Sequence, residues 1–417
     1  MVVQDERGEG PVQAMQAAGI DPFDPARKHD PHPGYHELRA VAPVLLVPDL
    51  HEAVVTGYDV AFAVLRDPRF STNPVHRVLD EGQDPTDFRT GLSDDGARVL
   101  LFLDPPDHTR LRKLVSKAFT PRTVERLRPR IQSLVDEILD RAEADGELDV
   151  VADLGYVVPV TVICELMGVP VEDQHLFGPW SSAASRLLDG VSISTEEFEA
   201  AAVGAMQVIN YFNGIFEQRR LEPGDDLVSA LLEVEEEGER LTEDELRSMV
   251  VLLFIAGHET TMNLIGNGTY ALLRHPDQLQ RWQDDPSLSA SAVEELLRFD
   301  GPVHVTGRIP TEDIEVHGHR FTKGQQLVVL LAAANRDPAR FTDPDALDLG
   351  RPDNLHLTFS QGIHYCLGAA LARVEGQVVL ETLVRRFGDR MELLTDPVEY
   401  REHVVLRGLR ELRVSVR

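Results

Sequence analysis

Cysteine and lysine are both scarce in this chain of 417 residues, and each shortage excludes something. The two cysteines, Cys164 and Cys366, stand about two hundred positions apart and cannot supply the disulfide framework of a secreted scaffold. A reducing cytoplasm is the expected home. Only Lys28, Lys113, Lys117 and Lys323 are lysine, and with arginine included 41 basic residues face 70 acids, a net charge of −29. A surface of that sign repels the phosphate backbone, so nucleic acid is not an expected partner. Long apolar runs are missing too. The longest, Met249 to Gly257, is less than half of the ~20 residues a spanning helix needs. The first residues turn acidic at Asp5 and Glu6, unlike a signal peptide, so no membrane anchor is expected.

What is present is an ordinary globular composition, 42% hydrophobic and 27% charged, with no internal repeat and no low-complexity linker. Residues 1–34 are polar and proline-rich and read as an extended arm; residues 35–417 read as one domain, mainly α with a minor β region. Apolar spacing predicts helices over 121–144, 157–167, 195–220 and 369–387. Thr242 and Glu245 form a capping box that opens a helix of about thirty residues, closed by Arg274-His275-Pro276. At 1.5 Å per residue it spans roughly 45 Å, long enough to wall a central pocket. Strand signals follow at Ile314–Val316, around the Lys323-Gly324 turn, and in the apolar run Leu327 to Ala334.

The chemistry concentrates in Phe359-Ser-Gln-Gly362-Ile-His364-Tyr-Cys366-Leu-Gly368, directly before a helix. A thiol there meets the positive end of the helix dipole and free N–H groups, which favour the thiolate and make it an iron ligand. Gly362 and Gly368 would let the backbone approach a flat cofactor, and Phe359 would shield the sulfur. On the long helix, Ala256-Gly257-His258-Glu259-Thr260-Thr261 sets an acid beside a hydroxyl within an apolar stripe. Thr260 can bond back to the carbonyl of Ala256 and open a notch for a small ligand. His258-Glu259 falls short of a zinc-protease motif because Met262 stands where histidine is required.

These segments resemble the cytochromes P-450, the haem-thiolate monooxygenases, and the likeness runs from about residue 35 to the C-terminus. The resemblance implies haem b with Cys366 as axial iron ligand, dioxygen in the notch at Ala256, and proton delivery by Glu259 and Thr260. It implies haem propionates held by His108 and Arg112, from Asp104-Pro-Pro-Asp-His-Thr-Arg-Leu-Arg112, together with Arg308 and His364. It also implies a buried brace of Glu295 and Arg298 behind the cysteine loop, whose third member falls on Ala346, a departure from the family. Ser360, where the family usually has glycine, is another. Family position places the substrate pocket at Val250, Leu253, Phe254, Val303, His304, Val305, Val404 and Val405, with a variable loop around 75–97.

The implied activity is oxygen insertion from O2 into an apolar small molecule, by hydroxylation or epoxidation. The likeness is to bacterial members that tailor polyketides and macrolides. Electrons would come from NAD(P)H through a reductase and a small acidic ferredoxin, docking on residues 109–130, where eight basic residues face Glu125 alone. Residues 233–245 carry the opposite sign. The alternative is a haem sensor or carrier without catalysis, which has no use for Glu259-Thr260. A thiol hydrolase pairing Cys366 with His364 is disfavoured, because a base two residues away on the same loop is badly placed.

Overall fold

A computed structural model describes residues 25–47, 51–77, 99–187, 194–234 and 240–417. The rest of the arm, most of the 75–97 loop and the centre of the acidic run lie outside these residues. Where the arm is described it is not extended. It forms α1 (Pro25–His29) and α2 (His32–Val41), so the boundary expected at residue 34 falls inside a helix. The cause is partly tertiary. The buried Arg407 guanidinium donates to the carbonyls of Lys28 and His29 and, through Nε, to Asp300 at 2.7 Å, which fastens the segment to the domain.

Next come β1 (Val44–Val47), β2 (Glu52–Val55), α3 (Tyr58–Arg66), β3 (Phe70–Ser71) and α4 (Asp107–Ala118). The helix expected over 121–144 is broken into α5 (Pro121–Glu125) and α6 (Arg128–Asp145). Pro129 sits in the first turn of α6, where a missing N–H costs nothing, and it starts a new helix rather than continuing the old one. β4 (Glu147–Asp149), a π-helical turn at Val150–Tyr156, α7 (Val157–Leu166), α8 (Gln174–Ala184), α9 (Thr195–Leu221) and α10 (Leu227–Glu233) follow.

The long helix is α11 (Glu243–Arg274), 32 residues, opened by the Thr242–Glu245 capping box. Its most apolar stretch is long enough to cross a membrane, but 72% of it is buried within the protein, and it serves as the central core helix. It packs on α7, on α13 (Ser289–Asp300), which follows α12 (Pro276–Asp284), and on α15 (Ala369–Phe387) near the C-terminus.

The sheets are small. β5 (Val305–Pro310) and β8 (Gln326–Leu330) lie inside a five-stranded mixed sheet of order β1-β2-β8-β5-β3, while β6 (Ile314–Val316) and β7 (His319–Phe321) make a hairpin through His317 and Gly318, both at positive φ. The run Leu327 to Ala334 is only partly strand, since α14 (Leu331–Ala334) takes over its last four residues. β9 (Glu392–Leu393) and β10 (Arg413–Ser415) join β4 in the third sheet. The largest core cluster unites α6, α11, α13 and α15 with the C-terminal strand, so the cysteine loop, entering α15, is carried on the most deeply packed part of the molecule.

Candidate active site

The cysteine loop is a tight structure tied to itself and to α3. The Cys366 N–H donates to the Phe359 carbonyl at 2.9 Å, and the Tyr365 N–H to that of Gly362 at 3.1 Å. Gly362 has φ +71°, and a Cβ there would come within 2.6 Å of the Leu65 carbonyl oxygen. The turn and α3 therefore both demand glycine here. At Gly368 a Cβ would meet no protein atom within 4 Å. Ser360 adopts φ +59°, a left-handed conformation that glycine accepts without cost and serine does not.

Phe359 is buried beneath the Arg373 guanidinium, 4.6 Å from its ring centroid, and Arg373 is held by Glu294 at 2.6 Å. The Cys366 residue is exposed although protein surrounds its thiol closely. Burial pushes its thiol up from the ordinary value, contrary to the expectation from the helix dipole. The N–H groups of Gly368 and Ala369 and the charges of Arg112 and Arg373 pull it back only in part.

Around this loop gather the four expected basic side chains, two guanidiniums and two imidazoles. The rings of His108 and His364 lie 4.4 Å apart. Arg112 Nη2 donates to the Tyr365 carbonyl at 2.6 Å, and Arg308 Nη2 to Ser360 Oγ at 3.4 Å. Arg308 is 3% exposed, and burial lowers its pKa to about 10. Burial likewise lowers His364, helped by Arg308, His108 and Arg112, to about 3. Asp104 is the acid that offsets this charge, and it already accepts from Ser71 and faces His76 at 3.3 Å. His108 Nε2 is buried without a hydrogen-bond partner. Two guanidiniums and two imidazoles held this close are built for a dianionic or paired anionic ligand.

Behind the loop, Glu295 and Arg298 are fully buried in a bidentate pair with both bonds at 2.8 Å. The third member is Arg351, whose Nε reaches Glu295 at 3.1 Å; Ala346 contributes its carbonyl, which accepts from both arginines. The earlier placement on Ala346 is thus corrected by five residues. A side chain in that stretch was sought, whereas the chain turns so that backbone faces Arg298 and the guanidinium of Arg351 folds back.

On α11, Thr260 Oγ1 donates to the Ala256 carbonyl at 2.9 Å, the back-bond expected of it, while the helix runs unbroken through this turn. Leu252, Ala256 and Thr260 recur every fourth residue and are half-buried, with Leu253 bordering them. Val250 and Phe254, expected on this face, are fully buried on the far side, where Phe254 packs 4.7 Å from Phe177. Successive helix residues turn by 100°, so 250 and 254 cannot share a face with 252 and 256; the open residue is Leu252.

The other expected pocket segments do meet, since the His304 N–H donates to the Val405 carbonyl at 2.9 Å and Val303 bridges Leu406. Val303 and Val405 stay half-buried, whereas Val305 and Val404 belong to a core cluster. His304 is no substrate handle: it is buried against Tyr35, whose hydroxyl is 3.3 Å from Nδ1, and near Asp300. Glu259 has a partner that sequence reasoning missed. Arg401, 142 positions away, donates to its Oε1 at 2.6 Å, and no local pattern announces so distant a pair. On the opposite side, Arg110 is committed to Glu245 and is not free for docking, while Lys113, Arg122 and Arg126 are exposed.

The profile of the cytochrome P-450 family matches residues 51–409. The chain belongs to the cytochrome P-450 family. It is 42% identical to the vitamin D(3) 25-hydroxylase of Pseudonocardia autotrophica over 395 residues, 93% of this chain and 94% of the relative. It is 41% identical to the 6-deoxyerythronolide B hydroxylase of Saccharopolyspora erythraea over 389 residues, 92% and 95% of the two chains. Among solved structures, the cytochrome P-450 PksS of the Bacillus subtilis 168 bacillaene polyketide synthase superposes with a TM-score of 0.85 at 36% identity, covering 95% of this chain and 99% of that one. As a cytochrome P-450 with hydroxylases among its relatives, the protein is a haem-dependent monooxygenase that takes O2, a small-molecule substrate and electrons from redox partners.

Proposed function

We propose that this cytochrome P-450 hydroxylates or epoxidises an apolar bacterial secondary metabolite of the polyketide or macrolide kind. The observation that carries the reading is the union of an exposed Cys366 with two guanidiniums and two imidazoles, one of them with an unpartnered buried nitrogen. Cys366 would ligate the haem iron, and His108, Arg112, Arg308 and His364 would hold the propionates. Ala256, Phe359 and Gly368 would leave room for or shield the ring. When bound, the haem supplies oxygen activation, which thiolate ligation favours. The rest falls to the chain. Leu252, Leu253, Val303 and Val405 would hold an apolar substrate away from water, and Thr260 with Glu259 would deliver protons. The hydroxylase and polyketide names among the relatives support the substrate class.

Electrons would pass from NAD(P)H through a reductase and a small acidic ferredoxin docking on Lys113, Arg122 and Arg126, in the cytoplasm where such donors stay reduced. The deciding experiment is the absorption spectrum of the reduced protein under carbon monoxide, followed by oxygen uptake with an electron donor and candidate substrates. A red-shifted ferrous carbonyl band, lost in Cys366→Ser, is expected. Its absence in the wild type would refute the reading, and a band without substrate-dependent oxygen uptake would favour the sensor or carrier.

A further inference from the structure

Tyr365 stands directly before Cys366 and is held at both ends by arginine. Its carbonyl accepts from Arg112 Nη2 at 2.6 Å, and its hydroxyl accepts from Arg373 Nη1 at 3.0 Å. Arg112 belongs to the anion-binding group already described. Arg373 does not. It rises from the first turns of α15, lies over the Phe359 ring at 4.6 Å in cation–π contact, and keeps 30% of its side chain in solvent. Phe359 in turn accepts the Cys366 N–H on its carbonyl. One guanidinium thus touches two residues that are each joined to Cys366, Tyr365 through the peptide bond and Phe359 through a hydrogen bond.

The charge of Arg373 is fixed at its far end. Nε and Nη2 donate to Glu294 of α13 at 2.6 and 2.9 Å, and these bonds raise the pKa of the guanidinium. Burial pushes Glu294 up, but Arg373 and His356, 3.2 Å away, bring its carboxyl down to about 2. Both partners therefore stay ionised. The pair is a dipole with a set direction, its guanidinium against the cysteine loop and its carboxylate carried on α13. Arg373, with Arg112, accordingly acts on the Cys366 sulfur as a positive charge.

We propose that Arg373 is a positioning residue that sets the reduction potential of the haem, holding a positive charge over Phe359 so that the first electron is accepted more readily. The inference rests on the haem-thiolate reading. A cation near the sulfur stabilises the form that carries one negative charge more, so it raises the potential of the iron. The step it assists is the transfer of one electron from the ferredoxin, which is oxidised as ferric haem becomes ferrous. No bond forms or breaks and no proton moves. Glu294 opposes the effect from farther away, and the difference between the two charges sets the potential.

The test is a spectroelectrochemical titration of the haem-loaded protein at about pH 8, where free imidazole is neutral, in parallel with the carbon monoxide spectrum. Arg373→Met keeps an unbranched chain over Phe359 and removes the charge. It should lower the potential, shifting the ferrous-to-ferric ratio roughly tenfold, which for one electron is about 59 mV. Glu294→Gln keeps an acceptor for Arg373 and removes the counter-charge, so it should move the potential the opposite way. Arg373→Lys should stay near the wild type. Opposite shifts at the two ends of one pair are the signature of charge, because a bracing role alone would move both variants in the same direction. Unshifted potentials in both, or shifts of the same sign, would overturn the proposal. If Arg373→Met takes up no haem, Glu294→Gln decides: a raised potential supports the proposal and an unchanged or lowered one refutes it. A missing ferrous carbonyl band in the wild type would overturn the haem-thiolate reading and this inference with it, whereas a normal band with unshifted potentials overturns the inference alone.

Discussion

The two sides of the site are built on different plans. The cysteine side has ten consecutive residues at its centre, closed by their own backbone hydrogen bonds, with the basic side chains of α4 and β5 added from outside. The opposite side is assembled from α11, the β5 approach and the C-terminal loop, joined by contacts between residues more than a hundred positions apart. A site whose chemistry must stay constant is written contiguously. A site that must fit a particular substrate is divided among segments that can vary separately.

The largest effect should come from the brace. Arg298→Ala strands the Glu295 carboxylate at zero exposure and should cost about 3–5 kcal/mol in denaturant unfolding. A loss below ~1 kcal/mol would mean that Arg351 alone suffices. On the opposite side, Phe254→Ala should cost a comparable ~3–5 kcal/mol by leaving a cavity, with ligand affinity largely kept. Ala256→Leu should do the reverse, losing ligand affinity with little change in stability. Equal effects of the two on ligand titration would erase the distinction between the stripes of α11.

Glu375, on α15 with both oxygens unpartnered and Thr261 its nearest polar neighbour, gives a pH test of the same core. Burial raises its pKa from 4.5 to about 8, so the folded state keeps a proton that the unfolded state releases. The stability that this proton brings is complete below pH 4.5 and is lost as pH rises toward 8. Glu375→Gln should remove that slope and gain a few kcal/mol at pH 8, measured by unfolding at several pH values. A parallel pH dependence in both proteins would rule this out. The smallest effect is expected from Ser360→Gly, which relieves a left-handed serine and should stabilise by up to about 1 kcal/mol, offset by the extra freedom of glycine when unfolded.

Legibility in the sequence followed the same division. Cys366, Phe359 and His364 could be read because their spacing is local, and the capping box marked the start of α11 to the residue. The errors were non-local or rotational. Val250 and Phe254 were placed by family position, which marks a stretch of helix and not a face, although the 100° step would have separated them from Ala256. Gly362 was read for what it would admit rather than for the α3 carbonyl it avoids. Arg401 and Arg351 had no signal at all, since an arginine that folds back on a distant acid looks in sequence like any surface cation.

The clasp between Arg407 and the carbonyls of Lys28 and His29 bears on how the protein is produced. Trimming the gene to begin at residue 35, as the composition invites, would delete both acceptors and leave a buried guanidinium with Asp300 and the Tyr400 ring. The damage would surface as lower stability in denaturant unfolding, because a buried donor would have lost its acceptors.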